Sequence, residues 1–133
     1  MVYSIDKLLE EAKSNNKLRS RYCFHKSLSD NPQQMVIVIL KNSYIRPHRH
    51  PESKSEIYHL MRGEMQVDIF NEDGVIKEKN ILNQSNPIIR IPPNTWHAPK
   101  SISNYSVYHE IYPGSFFKYI DVEYAKWAKE EEC

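Results

Sequence analysis

Between residues 35 and 112 the sequence is a succession of short apolar or alternating runs. Turn residues close each run about every eight to twelve positions, and that rhythm restricts the chain to an all-β sandwich or barrel. Residues 35–40 (Met-Val-Ile-Val-Ile-Leu) form an unbroken, mostly β-branched run, which predicts a strand buried on both faces. Met65, Val67 and Ile69 alternate with Glu64, Gln66 and Asp68, the pattern of a half-buried strand. Asn71-Glu72-Asp73-Gly74 reads as a hairpin turn, with residues 75–82 returning. Further strands are expected over residues 44–50, 56–61, 88–91 and 105–112.

The flanks read differently. Ser4 is placed to cap a helix over residues 5–14, where Ile5, Leu8, Leu9 and Ala12 make one apolar stripe. Residues 17–34 are polar and mixed. Arg19, Arg21 and Asp30-Asn31-Pro32 read as turn signals there, and residues 22–25 as a short strand. From about Asp121 a second helix is expected, with Tyr124, Trp127 and Ala128 on one face. The layout is thus one domain over residues 1–133, with an N-terminal helical extension (1–20), a β-barrel (35–113) and a C-terminal helix (120–133).

Net charge is +1, from 18 basic and 17 acidic residues without a basic stripe, which argues against a nucleic-acid partner. No apolar run is long enough for a membrane span, and residues 1–7 lack the apolar stretch of a signal peptide, so a cytoplasmic location is expected. Cys23 and Cys133 lie far apart, and no disulfide is expected in a reducing compartment.

Chemistry concentrates in residues 46–63. His48 and His50 are two apart, so on a strand both imidazoles face one way. A short loop would bring Glu56, at the start of the next strand, to the same place. His97 follows a Pro92-Pro93 turn and is the best fourth ligand. Three imidazoles and one carboxylate suit a divalent transition metal: Zn, Fe, Mn, Ni or Cu. Arg46 shares the parity of His48 and His50, and would either bind an anionic substrate group or make a surface salt bridge. Tyr58 shares the parity of Glu56 and is a candidate for substrate contact and catalysis. Glu110 is a candidate acid/base or a partner for an imidazole. His59 has the opposite parity and should lie outside.

Two blocks of this sequence together resemble the cupin superfamily. One is His48-x-His50, Glu56 and Gly63; the other is Pro92-x-Asn94, then His97. Asn42, Asn86 and Asn94 stand where that pattern has glycine, and asparagine tolerates the left-handed conformation better than most residues. The loop before Glu56 is one residue longer than the pattern. Glu52 is therefore the alternative ligand, although the spacing from Glu56 to Gly63 matches. The chain also resembles the WbuC-type cupin metalloproteins of bacterial surface-polysaccharide (O-antigen) clusters. The resembling segments are residues 47–51, Lys54-Ser55-Glu56, Tyr58-His59, residues 70–74, residues 92–97, His109-Glu110 and residues 124–128. The resemblance implies a double-stranded β-helix, a jelly-roll barrel with a bound metal.

Three functions follow as expectations. The first is a metal-binding cupin that acts on or recognises a sugar intermediate of surface polysaccharide (lipopolysaccharide O-antigen or capsule) synthesis, through isomerase, epimerase or lyase chemistry if it is an enzyme. The second is an iron-dependent dioxygenase, and the third a non-catalytic ligand-binding or regulatory cupin. The expected partner is a small sugar-like or carboxylate ligand, and the expected assembly a homodimer.

Overall fold

A computed structural model describes residues 2–50 and 54–131. Two five-stranded antiparallel sheets face each other. The first has the order β1 (Arg19–Cys23), β2 (Gln33–Leu40), β9 (Tyr105–Tyr112), β4 (Glu56–Arg62), β7 (Ile88–Ile91). The second has the order β10 (Glu123–Tyr124), β3 (His48–Arg49), β8 (Trp96–Ser101), β5 (Met65–Phe70), β6 (Ile76–Leu82). This is a jelly-roll sandwich: a member of the all-β class that the strand rhythm predicts, and the fold that the cupin resemblance implies.

The core lies between the sheets and includes Ile37, Ile39, Tyr58, Leu60, Met65, Val67, Ile69 and Tyr108. Helix α1 (Ile5–Lys13) covers the outer face of the first sheet, where Leu8 and Ala12 pack with Val38 and Val107. That cover explains the unbroken run in β2. Ile37 and Ile39 fill the inner core, Val38 fills the outer one, and no position is left for a polar residue. Ser4 caps α1 by accepting a hydrogen bond from the Lys7 amide at 3.3 Å.

The structure departs from expectation at both flanks. Residues 19–23, with Arg19 and Arg21 in the place of turn signals, form edge strand β1 in full register with β2, so the sandwich begins well before residue 35. The C-terminal helix is only α2 (Lys118–Asp121), and beyond it the chain forms the short strand β10 and a turn over residues 126–128. Tertiary hydrogen bonds override helical spacing there: β10 pairs with β3, the Ala125 amide donates to Pro47 O at 2.9 Å, and Arg46 donates to Ala125 O. Trp127 packs on Phe70 and Trp96 instead of lying on a helix face. Gly74 closes the β5–β6 hairpin at φ +88°, and a Cβ there would lie 2.7 Å from the Trp127 ring. This glycine thus serves both the turn and the docking of the C-terminal segment.

Candidate metal centre

The site is assembled from both sheets. The second sheet supplies the imidazoles: His48 lies in β3, His50 just beyond it, and His97 in β8 directly opposite His48. The first sheet supplies Glu56 from the start of β4. One donor atom from each of His48, His50, Glu56 and His97 lies within 4.8 Å of the others. His97 and Glu56 are 0% and 1% exposed, so the donors meet away from solvent. Glu52 lies outside the described residues, and among the described carboxylates Glu56 is the one in the cluster.

The turn before β8 shows how the sequence permits this. Asn94 adopts φ +56°, the left-handed conformation expected at a glycine-like position, and its amide donates to His50 O at 2.7 Å. Asn42 and Asn86 do not adopt positive φ.

Each imidazole is oriented from behind through Nδ1. His48 Nδ1 is 2.9 Å from Arg46 O, His50 Nδ1 is 2.7 Å from Asp121 O, and His97 Nδ1 is 2.8 Å from Thr95 O. A carbonyl oxygen only accepts, so each Nδ1 carries a hydrogen, and in the neutral imidazole Nε2 is then the nitrogen with the lone pair. His50 Nε2 and His97 Nε2 are buried without a hydrogen-bond partner, 3.2 and 2.5 Å from Glu56 Oε1. Buried lone pairs beside a buried carboxylate require a positive charge between them. A divalent cation fits this donor set, with outer nitrogens bonded to the protein as ligating histidines usually have them.

The electrostatics agree. Burial first, then His97, push the His48 pKa down to about 3, which keeps this imidazole neutral and ready to ligate. Burial pushes Glu56 up, but His97 and the contacts from His50 outweigh it and hold the carboxyl below its usual range. Burial lowers His50, yet Glu56 reverses this and the net shift is upward. A proton and a metal ion therefore compete for the same nitrogen.

Tyr58 is buried, and its hydroxyl donates to Glu56 Oε1 at 3.0 Å. Arg46 donates through Nε and Nη2 to Ala125 O, and its guanidinium lies over the Tyr124 ring. Glu110 lines a cavity of about 260 Å³ that also reaches His48, His50 and Glu56. Burial, then the Glu56 charge, raise Glu110 to about 8, so it holds a proton at neutral pH. His59 is exposed on the outer face of β4, paired with His109.

Sequence reasoning missed a support under His50. Asp121 is 2% exposed, and its carboxylate accepts from Lys54 Nζ at 2.7 Å, Tyr112 Oη at 2.9 Å and the Phe117 amide at 2.6 Å. The Tyr112 ring packs against His50 with centroids 4.6 Å apart. Lys54, two residues before Glu56, offered a faint signal in its place in the Lys-Ser-Glu segment; Asp121 offered none.

Comparison with known proteins places this geometry. A family model described as "Domain of unknown function (DUF6016)" matches residues 2–82, more than half of the chain. The chain belongs to that family. No curated protein matches it significantly in sequence. Among solved structures it is similar to protein SO0799 from Shewanella oneidensis, with TM-score 0.67, 11% identity, and 92% of this chain and 85% of that one covered. It is also similar to a cupin-like protein from Thermotoga maritima, with TM-score 0.61, 17% identity and coverage of 80% and 74%. A third similar structure is an oxalate oxidase in complex with glycolate, with TM-score 0.64, 12% identity and coverage of 84% and 57%. The chain spans only 27% of procruciferin, an 11S globulin from Brassica napus, to which it is also similar. At these identities the likeness is one of fold, and the fold is that of the cupins.

Proposed function

We propose that this protein is a metal-dependent cupin that binds a small organic ligand in the cavity beside a transition-metal ion. His48, His50, Glu56 and His97 would hold the ion. The observation that carries this reading is the pair of buried, unpartnered Nε2 atoms on His50 and His97 beside the Glu56 carboxylate. A bound metal supplies Lewis acidity to an oxygen of the ligand. The chain's own residues do the rest. The Tyr58 hydroxyl fixes the orientation of Glu56, and Glu110 presents a carboxyl that carries a proton at neutral pH to the cavity, the state of a general acid. Arg46 serves the site from behind, by holding Ala125 and hence the segment that pairs with β3.

A sugar intermediate of bacterial surface-polysaccharide synthesis is the ligand class we take from the sequence resemblance to WbuC-type proteins. Iron-dependent oxygen chemistry is the alternative that the ligand set accommodates. Metal analysis of the purified protein tests the core of the reading. The wild type carries stoichiometric metal, and the double change His48→Ala/His50→Ala abolishes it while the β-type circular dichroism persists. A double variant that keeps its metal overturns the ligand assignment. Oxygen uptake by iron-loaded protein with candidate ligands separates the dioxygenase from the sugar-directed reading.

A further inference from the structure

The inner face of β1 carries cations where a sandwich core would carry apolar side chains. Arg21 pairs with Ile37, Ile37 with Tyr108, and Tyr108 with Leu60. Those three partners are buried in the inter-sheet core, so Arg21 stands on the same inward side. Arg19 and Cys23, two residues to either side, share that face. Arg19 has its counter-ion in Glu131, at 2.6 Å, and also donates to Tyr44 O. Arg21 has no hydrogen-bond or ion-pair partner among the described residues, although it lines the same cavity as Glu110, His48, His50 and Glu56. Its side chain is exposed at the mouth, whereas the Glu56 end of the cavity is buried. Met35 and Ile45 add apolar wall to the same cavity.

We infer that Arg21 is the specificity residue for a ligand with two oxygen-bearing ends: one end at the metal, an apolar middle, and a carboxylate on the guanidinium. A planar guanidinium pairs with a carboxylate in bidentate fashion. Arg19, the other arginine of this face, has Glu131 as its counter-ion, so Arg21 is the arginine of β1 left without an anion among the described residues. A single unpaired guanidinium matches one carboxylate group in charge and in geometry. With a carboxylate also supplying the oxygen at the metal, the ligand class is a dicarboxylate small enough for a cavity of about 260 Å³. The inference rests on the metal reading above and puts a dicarboxylate in place of the sugar ligand taken from the sequence resemblance.

Protein loaded with Co(II) provides the test, because ligand entry perturbs the metal's visible absorption. Malonate, succinate and glutarate are titrated, each against its half-amide, which keeps the shape and removes the distal charge. The wild type binds the best of the three about tenfold or more tighter than its half-amide. In Arg21→Gln the difference shrinks to about twofold, the half-amide affinity is unchanged, and Arg21→Lys keeps part of the preference. A wild type that binds acid and half-amide equally, or binds neither, overturns the inference without needing any variant. So does a preference that survives in Arg21→Gln. If a cobalt spectrum is present and lost in His48→Ala/His50→Ala, a failed preference sinks the Arg21 inference alone. If no cobalt binds at the four residues, the metal reading fails and takes the inference with it.

Discussion

Replacing Asp121 by alanine removes one acceptor that three donors share: Lys54 Nζ, the Tyr112 hydroxyl and the Phe117 amide. The Asp121 side chain is 3% exposed and that of Lys54 24%. Breaking a fully buried ion pair costs about 3–5 kcal/mol, and the partial exposure of Lys54 selects the lower end. The two further donors add about 1 kcal/mol, since part of their loss is recovered from water. The sum is about 4 kcal/mol, or a fall in Tm on the order of 15 °C for a chain of this size. Detachment of α2 alone would cap the loss at the free energy of its docking. Burial raises the Asp121 pKa, but Lys54 and the Phe117 amide outweigh it, and the net shift is downward. A depressed carboxyl contributes stability that is present above its unfolded pKa of about 4 and is lost as pH falls through the lower folded value. The gap between wild type and Asp121→Ala therefore stays full at neutral pH and closes only in acid. Denaturant unfolding of the metal-free proteins across pH measures this, and chelator competition measures the metal. Because the Asp121 carbonyl orients His50, metal affinity should fall by about 10- to 100-fold. A variant within about 1 kcal/mol of wild type at pH 7, with unchanged metal affinity, would refute the reasoning.

Two further outcomes are expected. Burial raises Glu131, but Arg19 and the Arg46 amide outweigh it and hold its carboxyl below the usual range. Both partners in the Arg19 pair are about a fifth exposed. Glu131→Gln should cost about 1 kcal/mol at pH 7, and the cost should shrink as pH falls through the depressed pKa, as read by unfolding across an acid pH series. Gly74→Ala meets both the positive φ and the Trp127 ring, and should cost about 2 kcal/mol with a change in tryptophan fluorescence. A variant as stable as wild type would remove Gly74 from the docking of the C-terminal segment.

What the sequence disclosed and what it hid divide along the range of the contacts involved. The metal cluster was legible because its signals are local. His48 and His50 face one way by strand parity, and Asn94 takes the left-handed turn that delivers His97. The unbroken run in β2 was legible as a doubly buried strand, although not what covers its outer side. Arg21 was hidden because an edge strand with polar residues on its cavity face lacks the alternation that marks a half-buried strand. Tyr124, Trp127 and Ala128 carried helical spacing, but β10 pairing and the Trp127 contacts with Phe70 and Trp96 prevailed over it. Weak local propensity yields to tertiary hydrogen bonds and aromatic burial.

The same division runs through the site itself. His48 and His97 each send Nδ1 to the carbonyl two residues earlier, Arg46 and Thr95, so their rings are set within their own segments. His50 sends Nδ1 to Asp121, 71 residues away on α2. Two imidazoles are therefore oriented wherever their strands form, whereas the third is oriented only when α2 is docked by Asp121, Lys54 and Tyr112. Glu56 belongs to the opposite sheet, so an ion held by these four residues would also tie the sheets together. On the proposed metal reading, metal binding and α2 docking favour each other by the same free energy, whichever comes first. Loading with metal should protect residues 117–121 from proteolysis, and loosening α2 should weaken metal without abolishing it, because His48, His97 and Glu56 remain in place.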